Sequence, residues 1–147
     1  MSVVKKGLAT STVSVCNASI GRAVMRGVIT QDAAAVFQRE CASVALSIGA
    51  KGIIYRVDRS VVAFGPEANG DPALMPQAMQ DTPAAFVVAP CDFELFEHYC
   101  RRAQRAGIGR RVFTDAERAE AWVRAQVEAW RVTGRMRAAR TAHPARP

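Results

Sequence analysis

Gly52-Ile53-Ile54-Tyr55-Arg56-Val57 is the stretch on which the fold turns. It is short, opened by glycine and rich in β-branched and aromatic side chains, so it reads as a strand buried on both faces. Working outward from it, helical and extended patterns alternate. Upstream, Thr30 and Asp32 supply a helix start, and Phe37, Cys41, Val44 and Ile48 recur at spacings that place them on one helical face. Gly49 ends that helix in the left-handed conformation. Earlier still, residues 12–16 and 20–29 are β-prone runs around the turn residues Asn17 to Ser19, which predicts a hairpin.

Downstream, residues 61–64 form a short strand or pack as an irregular segment, and Gly65, Pro66, Asn69 and Gly70 make a loop. Asp71-Pro72 predicts a helix over 72–80, with Asp as the cap and Pro at the first helical position. Residues 84–89 read as another apolar strand. Pro90-Cys91-Asp92 stops it and opens a helix whose Phe93, Phe96, Cys100 and Ala103 share a face, with Gly107 closing the helix. Residues 110–113 are a short final strand. Thr114-Asp115-Ala116-Glu117 has the form of a capping box and begins a long helix carrying Ala119, Trp122, Val123, Val127 and Trp130 inward or partly so. Alternation of this kind predicts an α/β fold: a central mixed, mostly parallel sheet of about five strands with four helices.

The chain has 147 residues, of which 50% are hydrophobic and 22% charged, which describes one ordinary globular domain and excludes disordered and fibrous classes. No apolar run approaches the ~20 residues needed to span a bilayer. The net charge is +7, and residues 131–147 supply five arginines (Arg131, Arg135, Arg137, Arg140 and Arg146) with no acid. The domain at 1–130 is therefore nearly balanced, which argues against specific nucleic-acid binding, and the basic excess belongs to a frayed C-terminal extension at 131–147. Cys16, Cys41, Cys91 and Cys100 include no Cys-x-x-Cys, and only His98 and His143 accompany them, so neither metal nor cofactor is expected. The polar residues Thr10, Ser11, Thr12 and Ser14 interrupt the apolar stretch after Lys5-Lys6, so no signal peptide is expected and the reading is cytoplasmic.

With its elements in this order, the chain resembles the STAS family (sulfate transporter and anti-sigma antagonist), in particular its bacterial anti-sigma-antagonist-like branch. The residues that carry the resemblance are Gly27-Val-Ile-Thr-Gln-Asp32, Gly52-Ile-Ile-Tyr-Arg-Val-Asp58, and Gly107-Ile-Gly-Arg-Arg-Val-Phe-Thr-Asp115 followed by Ala121-Trp122. The resemblance covers roughly residues 12–130. It implies a non-catalytic regulatory module that acts through protein contacts, including self-association as a homodimer. The family switch is a Ser or Thr, usually preceded by Asp, at the start of the helix after the buried strand. This sequence has no Asp-Ser or Asp-Thr pair there, and Ser60 is the nearest hydroxyl.

Ligands of open α/β sheets sit beyond the carboxyl ends of the strands. That rule nominates Asp58, Arg59 and Ser60 after one strand and Cys91 and Asp92 after its neighbour. A crevice there suits a carrier of a small apolar ligand, the alternative to the protein-contact reading. Cys91 at a helix N-terminus is the nucleophile of a third, enzymatic reading, but no His, Asn or second Cys stands near it to activate it. Trp130, two turns beyond Trp122, marks a partner surface if only partly covered.

Overall fold

The computed structural model describes residues 2–6, 9–15, 19–47, 49–63 and 75–133. The expected loop and helix start between Gly65 and Pro72, Phe64, and the Arg-rich extension from residue 134 lie outside the described residues. The chain is α/β. Among the described residues one sheet holds six strands in sequence order: β1 (Ser2–Lys6), β2 (Ala9–Val15), β3 (Ile20–Thr30), β4 (Gly52–Ala63), β5 (Ala84–Val87) and β6 (Arg110–Phe113). β1, β2 and β3 pair antiparallel, and β3 to β6 pair parallel. The sequence pattern offers no counterpart to β1, which raises the strand count from about five to six.

The helices are α1 (Gln31–Ser47), α2 (Gln77–Gln80), α3 (Phe93–Arg105) and α4 (Ala116–Thr133), and a 3-10 turn at Pro90–Asp92 leads into α3. α2 is far shorter than the helix expected over 72–80. Pro76 precedes its first residue in an extended conformation, and a proline inside a longer helix would have removed a backbone bond and clashed with the preceding turn. α1 closes where expected, with Ala50 N–H donating to Ala45 O at 2.9 Å across Gly49.

Alternation along the central strands gives the sheet two faces. Ala23, Met25, Ile53, Tyr55, Ala84, Phe86 and Val112 join Phe37 and Cys41 of α1 and Phe96, Tyr99 and Cys100 of α3 in one core. Phe86 is its centre: its ring stacks on Tyr55 at 5.2 Å and meets Tyr99 edge-on at 5.8 Å. Both buried hydroxyls find the same residue of α1, Tyr55 donating to the Gln38 carbonyl at 3.1 Å and Tyr99 to its Oε1 at 3.2 Å. Ile20, Ile54, Ala85 and Val87 face the other way, onto Ala119 and Val123 of α4.

Contact on this second side is close. A Cβ on Gly52 would stand 2.6 Å from Val123 Cγ1 and 3.0 Å from Val127 Cγ2, so α4 crosses the start of β4 where only glycine leaves room. Arg22 of β3 pairs with Glu120 of α4 and fixes the helix over the sheet from its outer side.

Candidate functional site

β4 runs on to Ala63, through the position where a strand end was expected. Asp58, Arg59 and Ser60 therefore lie within a strand, short of its end. The second half of β4 is held by β3, whose register resumes at Gly27 opposite Ser60 after a bulge. Asp58 accepts from Arg26 Nη2 at 3.2 Å, a cross-strand ion pair. Ser60 is thus in a strand, without the helix-start setting of the family switch, and the side chains of Arg59 and Ser60 are outside the described residues.

Cys91 is exposed and Asp92 half-buried, both in the 3-10 turn before α3. No hydrogen bond from Asp92 caps that helix. Among the described residues no group of His, Cys, Asp or Glu could hold a metal ion, and no helix is long and apolar enough to cross a membrane.

A concavity lies on β6, the last strand in the described sheet. Its floor is Arg110–Phe113, one wall is α3 with Glu97, Cys100 and Gln104, and the other is α4 with Arg118 and Trp122; it encloses about 590 Å³. Local sequence sets this up. Gly107, at φ +79°, lets α3 end in a tight reversal in which Ile108 N–H reaches Ala103 O at 2.9 Å, and the chain enters β6 three residues later. Asp115 then stops the strand and caps α4, its Oδ1 accepting from Glu117 N–H at 2.8 Å. The capping-box pattern assigns this cap to Thr114; the helix begins one residue later than that assignment requires.

The hydrogen-bond direction along β6 follows from its parallel partner. Ala84 N–H donates to Gly109 O and Val88 N–H to Phe113 O, so the odd-numbered residues 109, 111 and 113 face β5. The N–H and C=O of Arg110 and Val112 consequently turn toward the groove. Gln104 Nε2 covers one of these acceptors, donating to Arg110 O at 2.8 Å. On the α4 side the Phe113 ring lies under the Arg111 guanidinium at 5.4 Å and 6.1 Å from Trp122.

Arg110 points the other way, into the sheet, and is 3% exposed. Nη1 donates to the carbonyls of Thr82 at 2.6 Å and Gly109 at 2.9 Å, and Nη2 donates to Met79 O at 2.8 Å. It anchors α2 and the following turn to the sheet, and nothing in the sequence pattern distinguishes it from the exposed Arg111 beside it.

Cys100, on the α3 wall of the groove, has its thiol pushed up by burial to about 12, with the Arg110 charge opposing. It is a packing residue and a poor nucleophile. Trp130 is 39% exposed and lines a separate hollow of about 200 Å³ with Leu46, Ala50, Thr82 and Pro83. The structure therefore separates the six nominated residues into three places: Asp58 to Ser60 in β4, Cys91 and Asp92 before α3, and Trp130 near the end of α4. Sequence reasoning misses the groove itself; a short strand with Arg-Arg at its start, followed by a long helix, is the available signal. Comparisons with protein-family models, with curated proteins and with solved structures give no match to this chain.

Proposed function

We propose that this protein is a non-catalytic, STAS-like binding module that acts through protein contacts, with the outer edge of β6 as the contact site. The observation that carries the reading is the groove itself: a strand edge whose Arg110 and Val112 backbone groups turn outward between two helices. Such an edge gains a strand from a partner through main-chain hydrogen bonds, and the flanking walls select its side chains. The filled aromatic core around Phe86 supports binding at the surface over binding inside. Cys91 and Cys100 are free thiols, which suits the reducing cytoplasm in which we place the module.

The carrier of a small apolar ligand is the weaker reading. The hollow beside Trp130 measures about 200 Å³, below the ~300 Å³ at which small-molecule pockets begin, and the larger groove on β6 is lined by the charged residues Glu97, Arg101, Arg111, Asp115 and Arg118, which do not suit an apolar ligand.

The test is site-specific photocrosslinking in the native host. A benzophenone amino acid at the exposed Thr114, on the groove rim, should give a discrete adduct that the same probe at the exposed Ser43 of α1 does not give. No adduct at either position, or the same adducts at both, would overturn the reading.

A further inference from the structure

We propose that the partner segment taken by the β6 edge is an acidic extended peptide, an inference that rests on the groove being the contact site. The charges around β6 point to it. Two carboxylates reach the groove, and both are engaged: Glu97 pairs with Arg101 at 3.1 Å, and Asp115 accepts from the Glu117 backbone. Arg111 and Arg118 are exposed beside them, and Arg111 meets the Phe113 ring face, a contact that leaves its charge uncompensated. An incoming strand that alternates carboxylates with apolar residues matches this arrangement. Its backbone pairs with the N–H groups of Arg110 and Val112, its carboxylates face the α4 side and reach Arg111 and Arg118, and its apolar residues face the α3 side along Phe93 and Val112.

A second copy of this chain fits less well. Strand addition about a two-fold axis is antiparallel and self-complementary, so Arg111 and Arg118 of both copies would share one groove. The second copy brings only its own Glu97 and Asp115, each already engaged as in the first.

The test uses the full chain and three fluorescein-labelled heptapeptides that alternate Val with Asp and Glu, with Lys, or with Ser. Fluorescence anisotropy should show saturable binding of the acidic peptide, at least about tenfold tighter than the Lys peptide and weakening as salt rises. Arg118→Glu and Arg111→Glu, both at exposed positions, should each weaken it about fivefold or more while the circular dichroism spectrum is unchanged. Equal binding of all three peptides would overturn the acidic preference and leave the edge as a strand acceptor. Binding of none, with a dimer in sedimentation that Arg118→Glu dissociates, would make a second copy the occupant and overturn the proposal. Binding of none by a monomeric protein would overturn both this proposal and the assignment of the groove as the contact site.

Discussion

Arg110 and Thr82 are joined across the sheet margin by a buried hydrogen bond of 2.6 Å from guanidinium Nη1 to the threonine carbonyl. The bond makes Arg110 a clamp: the same side chain also holds Met79 O, so the last turn of α2 and the start of β5 are fixed by one residue of β6.

Replacing the clamp should be costly. Arg110→Met fills similar space but leaves the carbonyls of Thr82 and Met79 buried without that donor, an expected loss of about 2–4 kcal/mol. Arg110→Lys should recover little, because one ammonium cannot reproduce the fork. Urea unfolding of the two variants checks this, and a loss under about 0.5 kcal/mol in both would show that the clamp is dispensable.

Gly52→Ala should push α4 off the sheet. The added carbon meets Val123 at 2.6 Å, so one of the two elements must shift. The expected cost is about 1–3 kcal/mol, with a change in Trp122 emission because that ring rides on the same helix. Unchanged stability and emission would mean that α4 sits further from β4 than described.

Stability should fall at alkaline pH. Burial pushes the Cys100 thiol from 9.0 to about 12, and burial also raises the Tyr55 and Tyr99 hydroxyls above 10.0. Because the folded values are the raised ones, the contribution is complete below pH 9 and is lost as pH rises toward 12. Each group adds at most about 1.4 kcal/mol per pH unit to the decline. The urea midpoint should therefore drop between pH 9 and about 10.5, and Cys100→Ala should make the drop shallower. A midpoint that rises over that interval contradicts the burial of these groups.

The described thiols should differ sharply in access. Iodoacetamide at neutral pH should label Cys91 in the folded protein and spare Cys41 and Cys100, which are buried. Peptide mapping by mass spectrometry reads the result, and early labelling of Cys100 would contradict its burial in the α3 wall of the groove.

What the sequence made legible was what local chemistry decides. The helical spacing of Phe37 and Cys41, the stop at Gly49 and the strand at Ile53 to Tyr55 all reappear, because side-chain period and turn residues act over a few positions. Misreadings came where tertiary pairing overrides local signals. Asp58 and Arg59 look like loop residues, yet β3 continues alongside and keeps β4 extended to Ala63. Pro76, inside the span 72–80, is the local signal against one helix there. Arg110 and Arg111 are adjacent and chemically identical, and only the pleat sends one into the core and the other to solvent. The groove depended on β6 being the last strand of the described sheet, a fact of topology that no residue in it announces.

The central claim is that the outer edge of β6 accepts a partner strand, and amide hydrogen exchange at Val112, resolved by NMR, tests it most directly. In the free protein Val112 N–H should exchange faster than the N–H groups of Arg111 and Phe113, which face β5. Saturating acidic heptapeptide should slow Val112 to the rate of its neighbours. Peptide bound with Val112 still exchanging fast, or Val112 already protected in the free protein, would contradict the account.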